Sequence, residues 1–406
     1  MSAPDLSTRQ YPLGWLRAVA ALTVVTFHAY QYNRTDAWPL GGVAHRLMLG
    51  SDLFVDMFFV LSAFVLWLPV ARSALAGTTG RPGRVVLFRR VARLVPLYYS
   101  VVLIVWAVTN PSLPGHWQDL LLHLTFTQVY SDQYIFWTNG PAWSLAVELH
   151  YYLLIAAAIP VVHALTRRAR SQRGRVAVAM VLPVACAVAS LTYLAWRIHV
   201  LQTPLEQWSA WFNPLAKGSD FALGMTLAVV VASGATLGDT MRRVLGVGSV
   251  AALVSLVLVR PLEGAGTNWW HPLFALAITA GLASIVMHDG RQPGWMSWRP
   301  LSWIGGLGYG VYLIHEPVQR LIGSLGLLPD RSPGLTFLTT AAVVVVPTTL
   351  LAWLSSHTVE EAGRRTLGLI DRDNRPRDYY AHVGAAERDE VTPTASSAVG
   401  VTHRGS

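Results

Sequence analysis

The chain has 406 residues, of which 53% are hydrophobic and only 13% are charged. Soluble domains carry about 25% charged residues, so this composition excludes a disordered chain, a coiled coil and a disulfide scaffold, and it argues against a soluble enzyme. The formal net charge is +9, and the single cysteine, Cys186, excludes an intrachain disulfide. Stretches nearly free of charge, such as residues 18–27 and 341–354, indicate a polytopic membrane protein.

Apolar segments near the ~20 residues that a bilayer requires predict an all-α membrane helix bundle of about ten transmembrane helices. The predicted spans are residues 12–33, 50–72, 88–109, 142–165, 176–197, 209–233, 243–260, 271–288, 301–324 and 335–357. The segment 116–130 is amphipathic, so we expect it at the membrane interface and not as a full span. Residues 361–406 mix both charges with Pro, Ser, Thr and Gly, which predicts a disordered cytoplasmic tail.

Arginines are distributed unevenly between the predicted loops. Fifteen lie in the loops on one side of the bundle and six on the other. By the positive-inside rule, the arginine-rich loops and both termini are cytoplasmic, as expected for a multi-pass protein of the plasma membrane. Because these arginines occupy short loops between apolar spans, the basic excess does not indicate binding to nucleic acid.

Ionisable residues inside predicted spans are the first candidates for chemistry, because a charge in a bilayer is costly unless it is paired or hydrated. Arg17 and His28 are eleven residues apart. They therefore share one face of the first helix, about 16 Å apart along its axis. A neutral His28 can accept a proton from an alcohol, and Asp56 is the expected partner that orients it. Packing of His28 against a neighbouring helix, and a structural pair of Asp56 with an arginine, are the alternatives.

A group of arginines precedes the third span. Arg90 and Arg93 are three residues apart and share a helical face, and Arg89 is adjacent. Guanidinium groups suit phosphates, and this site lies on the predicted cytoplasmic side, where a phosphorylated donor is found. The alternative is that these arginines only set the orientation of the helix.

Two later segments add polar side chains to predicted spans. Ser144 and Glu148 share one helical face, beside Trp143, and Tyr312 lies about one turn before His315. For Glu148, binding of a substrate hydroxyl and pairing between helices are both open, and His315 has a packing alternative. No GxSxG elbow surrounds Ser144, which makes it a poor nucleophile. The histidines form no metal-binding pattern, so we predict no metal site.

Taken together, the motifs resemble those of the acyltransferase-3 family of integral-membrane O-acyltransferases. Arg17 and His28 match the family's R-x10-H pattern in the first span. The other matching stretches, in chain order, are VDMFFVLSAF at 55–64, FRRVARLVPLYY at 88–99, WSLAVELHYYL at 143–153, the segment Lys217–Gly224, and YGVYLIHEP at 309–317. Each stretch is a loose match alone, but six in the family's order are specific.

The resemblance implies that residues 1–360 form an acyltransferase domain. Its reaction would move an acyl group, usually acetyl, from cytoplasmic acyl-CoA to a hydroxyl of a glycan, a glycolipid or a macrolide-type secondary metabolite. Acyl-CoA would be a co-substrate, and no bound cofactor is expected. The implied catalytic residues are His28, Asp56 and Glu148, the donor would be bound by Arg17, Arg89, Arg90 and Arg93, and the acceptor by Trp143, Ser144, Lys217, Tyr312 and His315. The alternative function is a multi-span transporter or exporter, although the sequence has no inverted repeat of interrupted helices.

Overall fold

The computed structural model describes residues 13–288 and 294–370. Within these ranges the chain forms helices and no strand, which confirms the predicted all-α class. The α-helices are α1 (Gly14–Tyr32), α2 (Gly42–Leu49), α3 (Val55–Ala76), α4 (Gly83–Thr109), α5 (Trp117–Leu124), α6 (Ala142–Arg168), α7 (Gln172–Ala195), α8 (Trp208–Trp211), α9 (Gly218–Ala232), α10 (Asp239–Val259), α11 (Trp270–Val286), α12 (Arg299–Ser324), α13 (Thr336–His357) and α14 (Val359–Ile370).

Seven of the described helical segments are long and apolar enough to cross a membrane. They are Gly42–Ala76, Gly83–Thr109, Ala142–Arg168, Gln172–Val200, Asp239–Val259, Ala265–Val286 and Thr336–Thr366. These segments correspond to seven of the ten predicted spans, so the prediction of ten is not confirmed in full. The other three correspond to α1, α9 and α12. α9 has only 15 residues, while α1 and α12 carry polar and ionisable side chains along their length.

The predicted span 209–233 consists of two helices separated by a turn. Asn213 Oδ1 accepts hydrogen bonds from the backbone N–H groups of Leu215, at 2.9 Å, and Ala216, at 3.2 Å. This side-chain turn gives the backbone an alternative to the helix, because the amide oxygen satisfies donors that would otherwise bond within it. The longer helix of the pair, α9, therefore begins only at Gly218.

The segment 116–130 does not cross the bundle, as predicted, because its helix α5 has only eight residues. Trp117 and Leu121 are exposed on one side of this helix. On its other side Asp119 and His123 are fully buried, with His123 Nδ1 3.0 Å from Asp119 Oδ1. The polar face of α5 is thus paired inside the protein and not turned toward solvent.

The C-terminal boundary differs from the predicted one. The last described helix, α14, ends at Ile370, so the first residues of the predicted tail 361–406 are helical. α14 packs against α4, and a methyl group at Gly363 would lie 2.2 Å from the carbonyl oxygen of Ala92. Residues 371–406 of the predicted tail lie outside the described residues.

Two close contacts between helices position the candidate site. α1 lies along α12, from Gly14 opposite Gly305 to His28 beside His315, so the two helices run parallel. A methyl group at Gly305 would lie 1.9 Å from the carbonyl oxygen of Gly14, and one at Gly224 of α9 would lie 2.3 Å from a carbonyl oxygen of α3. Small residues at such crossings let the backbones approach closely.

Candidate active site

Six of the predicted site residues line one cavity between α1, α3, α4, α6 and α12. Its empty volume is about 740 Å³, part of which is open to solvent. The six are Arg17, Arg90, Arg93, Ser144, Glu148 and Tyr312, and the other lining residues are Phe58, Phe59, Ser62, Leu94, Leu145, Tyr152, Gly305 and Tyr309. Mostly apolar walls with a few convergent polar groups are typical of a binding site for a small molecule.

Arginine dominates the charge of the cavity. Arg90 interacts electrostatically with Arg17, Arg93 and Glu148, and its guanidinium carbon lies 5.7 Å from the ring centre of Tyr152. Among the lining residues three arginines face one glutamate, and Arg93 also interacts electrostatically with the buried Glu360 of α14, which leaves a formal surplus of one positive charge. Such a surplus inside a largely apolar bundle favours an anionic ligand, because guanidinium groups bind phosphate oxygens in a forked geometry.

Glu148 is held in place by two hydroxyl groups. Ser62 Oγ of α3 donates a hydrogen bond to Glu148 Oε1 at 2.5 Å, and the hydroxyl of Tyr152 donates to the same oxygen. Tyr152 lies one turn after Glu148 on α6, so both side chains face the cavity. Glu148 therefore joins α3 to α6, as in the pairing alternative, and it also lines the cavity. Its binding of a substrate hydroxyl stays a prediction.

A row of side chains leads from the cavity to His28. Ser144 Oγ donates a hydrogen bond of 2.9 Å to the hydroxyl oxygen of Tyr312, which lines the cavity. The ring centres of Tyr312 and His315 are 6.0 Å apart, and those of His315 and His28 are 5.1 Å apart. Neither His315 nor His28 lines the cavity, so His28 lies behind His315, which in turn lies behind the wall at Tyr312.

Asp56 does not contact His28, and the predicted pair is wrong. The two carboxylate oxygens of Asp56 lie 2.9 and 3.0 Å from Nδ1 of His271 on α11. Asp56 also interacts electrostatically with Lys217 and Asp220, at the start of α9. All four side chains are buried. The reason is the packing: α9 and α11 both cover α3 and supply these partners.

Three further predicted residues lie outside the cavity. Lys217 Nζ is 5.8 Å from the ring centre of Trp143 and 5.5 Å from that of Phe212, a cation–π arrangement beside the Asp56 group. Arg89 precedes Arg90 by one position, and adjacent residues on a helix point about 100° apart. Arg89 is accordingly absent from the cavity lining.

The sequence analysis missed several residues of the site. Tyr152 and Tyr309 lie one turn from Glu148 and Tyr312, so helical periodicity could have identified them. Ser62 and His271 have no such signal, because their partners are distant in the chain. Among the described residues no group of three or more His, Cys, Asp or Glu side chains is arranged to hold a metal ion.

Comparison with known proteins identifies the family. A family model described as an acyltransferase domain, the acyltransferase-3 model, matches residues 11–357. YrhL of Bacillus subtilis (strain 168), provisionally named a peptidoglycan O-acetyltransferase, is 26% identical over 382 residues, which cover 86% of this chain and 54% of YrhL. The chain thus spans about half the length of YrhL.

Two other relatives match along most of their length. The acyltransferase MdmB of Streptomyces mycarofaciens is 29% identical, with 88% of this chain and 92% of MdmB covered. BcsY of Komagataeibacter xylinus, provisionally named a membrane-bound transacylase, is 28% identical, with 93% of this chain and 87% of BcsY covered. No solved structure matches the chain. Because the family model covers most of its residues, the chain belongs to the acyltransferase-3 family of membrane acyltransferases.

Proposed function

We propose that this protein transfers an acyl group, in the first instance acetyl, from cytoplasmic acyl-CoA to a hydroxyl of a glycan, a glycolipid or a macrolide-type secondary metabolite. The observation that carries the proposal is the arginine-lined cavity between α1, α4, α6 and α12. A family of acyltransferases needs an activated acyl donor, and a thioester of CoA combines such a donor with several phosphates. The surplus of positive charge suits those phosphates.

The donor would lie along α1, from the arginines toward His28. Arg17, Arg90 and Arg93 would bind the phosphates, while the flexible arm of CoA carries the thioester past Tyr312. Arg17 and His28 are separated by about 16 Å along the helix, which a long extended arm can bridge. The carboxylate of Glu148 and the hydroxyl of Tyr312 would then contact the reacting end of the donor or the incoming hydroxyl.

His28 would act as the general base of a direct transfer. The hydroxyl oxygen of the acceptor attacks the thioester carbonyl carbon while His28 removes the hydroxyl proton. The carbon–sulfur bond breaks, and the proton passes from His28 to the departing thiolate, so the histidine returns to its neutral form. Glu148, fixed by Ser62 and Tyr152, would orient the acceptor.

We infer the location from the distribution of arginines and the acceptor class from a relative and the cavity lining. The arginine-rich loops support a multi-pass protein of the plasma membrane with both termini in the cytoplasm. YrhL is named for peptidoglycan, which supports a glycan acceptor, and the aromatic side chains around the cavity also suit an apolar metabolite.

Labelled donor distinguishes this function from transport. Membranes containing the protein are incubated with acetyl-CoA that carries ¹⁴C in the acetyl group, together with a lipid, glycan and small-molecule extract of the source cells. We expect label in a hydroxyl ester that mild alkali releases, and none with membranes lacking the protein. Passage of an unmodified compound across sealed vesicles, without ester formation, would identify a transporter instead.

A further inference from the structure

His315 is buried and has a defined tautomer. Its Nδ1 lies 2.7 Å from the carbonyl oxygen of Tyr312 and 3.2 Å from that of Val311, and its side chain is fully buried. A carbonyl oxygen accepts hydrogen bonds and cannot donate them. Nδ1 must therefore carry the proton, which leaves Nε2 of the neutral ring with a free lone pair.

This lone pair has no hydrogen-bond partner among the described residues. Buried polar atoms are nearly always paired, so the lone pair of Nε2 is open to a partner that joins during function. The neighbouring ring is that of His28, with ring centres 5.1 Å apart and planes inclined by 42°. Hydrogen bonds of catalytic groups often form fully only in the reacting complex.

We propose that His315 positions His28 and accepts a hydrogen bond from it when His28 takes the proton of the acceptor. The inference rests on the proposed function and adds to it the partner of the base. The imidazolium of His28 has two N–H groups: one holds the proton from the hydroxyl and returns it to the thiolate, and the other donates to Nε2 of His315. His315 gains and loses no proton in this step.

The charge distribution supports a histidine in this role. The carboxylate of Asp56 is engaged by His271, so it is not available to His28. Glu316, the residue after His315, is paired with Arg320 on the outer part of α12. His315 thus supplies a neutral acceptor, oriented by two backbone carbonyls, whose ring lies directly beside that of His28. Two amides are also close: Gln31 hydrogen-bonds the His28 side chain, and Gln319, which donates to the His28 carbonyl oxygen, has an unpaired Oε1.

Two substitutions distinguish the roles of the two ring nitrogens of His315. In His315→Gln the side-chain amide reaches the place of Nε2 and offers an acceptor, whereas in His315→Asn it reaches only the place of Nδ1. Acetyl transfer from ¹⁴C-acetyl-CoA is measured for purified, folded variants. We expect His315→Asn to lower kcat by about 10- to 100-fold, because a hydrogen bond to a charged group is lost. His315→Gln should retain most of kcat, and KM for acetyl-CoA should change little in both.

His150 provides a matched control on α6. Its Nδ1 also bonds a backbone carbonyl one turn earlier, Ala146 at 2.7 Å, but its ring faces Tyr130. We expect His150→Asn to keep the wild-type kcat. A comparable loss of kcat in His315→Asn and His150→Asn would mean that the substitution disturbs the helix, and it would overturn the proposal.

A double-mutant cycle with His28→Ala completes the test. If His315 acts through His28, His315→Asn should cost little further activity once His28 is absent. Equal losses in the two backgrounds, or equal losses for His315→Gln and His315→Asn, would overturn the role of His315 while leaving acyl transfer intact. Absence of transfer by the wild-type protein would instead overturn the proposed function, and the inference with it.

Discussion

The bundle buries charge in two different ways. Where α3, α9 and α11 meet, the acids Asp56 and Asp220 face the bases Lys217 and His271, and opposite charges lie together. In the cavity between α1, α3, α4, α6 and α12, three arginines face Glu148, and Glu360 of α14 interacts with one of them, Arg93. The first group is close to neutral as it stands, whereas the second has positive charge left over.

This difference separates a structural site from a binding site. Buried charges are costly, so a group that neutralises itself serves mainly to hold its helices together. A buried group with an excess of one charge keeps a free-energy cost, and this cost falls when an ion of the opposite charge binds. We therefore propose an architectural role for Asp56 and a ligand-binding role for the arginine cavity, although both regions contain residues that the sequence analysis placed in the chemistry.

The largest effect should come from His28. We expect His28→Ala to slow acetyl transfer by about 10²- to 10⁴-fold, because general-base catalysis contributes this range. The measurement is the initial rate of ¹⁴C-acetyl transfer by purified protein that elutes as the wild type on size exclusion. His199→Ala is the control, since His199 is exposed and its ring stacks on Trp269, away from the cavity lining. A folded His28→Ala protein with near-normal rates would place the base elsewhere.

Asp56 should affect stability more than chemistry. Asp56→Ala removes the carboxylate that bonds His271 and one of the two acids that face Lys217, and breaking a buried charge pair costs about 3–5 kcal/mol. We expect this loss in the free energy of unfolding in detergent micelles. Asp239→Ala is the control, because its carboxylate is 64% exposed and surface pairs contribute about 0–1 kcal/mol. If Asp56→Ala unfolded like the wild type but transferred no acetyl group, Asp56 would belong to the active site after all.

A smaller effect should follow from the contact of α1 with α12. Gly305→Ala places a methyl group 1.9 Å from the carbonyl oxygen of Gly14, so the helices must separate at a cost of about 1–3 kcal/mol. We expect a lower melting temperature together with slower transfer, because this contact aligns Arg17 and His28 with α12. Gly248→Ala, which meets no atom within 4 Å, should not lower the melting temperature. An unchanged melting temperature for Gly305→Ala would contradict the close contact.

Helical periodicity predicted the part of the site that lies within single helices. Arg90 and Arg93 are three residues apart, and Glu148 is one turn after Ser144, so each pair was correctly placed on one face of its helix. The same periodicity explains why Arg89 does not line the cavity with Arg90 and Arg93. It was predicted there from its charge and its position next to Arg90, but its side chain points about 100° away from that of Arg90.

Contacts between helices could not be predicted from the sequence. Asp56 and His271 are 215 positions apart, and nothing in either segment indicates that α11 and not α1 supplies the partner. The prediction of ten spans is not confirmed in full for a related reason. α1 and α12 are read as apolar segments in the sequence, yet their polar side chains meet across one interface. The turn at Asn213 depended on one side chain that hydrogen-bonds the backbone.

The central claim is that the cavity recognises the phosphates of the acyl donor. Acetyl-CoA and S-acetylpantetheine share the thioester and the flexible arm, but the second lacks all phosphates. The discriminating measurement is kcat/KM for each donor with the wild-type protein, with Arg90→Gln and with Arg89→Gln as the adjacent control. Arg90 lines the cavity and Arg89 does not.

The wild type should prefer acetyl-CoA by about tenfold or more, since each charge-assisted hydrogen bond contributes about 1.5–3 kcal/mol. Arg90→Gln should narrow this preference and Arg89→Gln should leave it unchanged. Equal use of both donors by the wild type, or equal effects of the two substitutions, would contradict the assignment of the cavity to a phosphorylated donor.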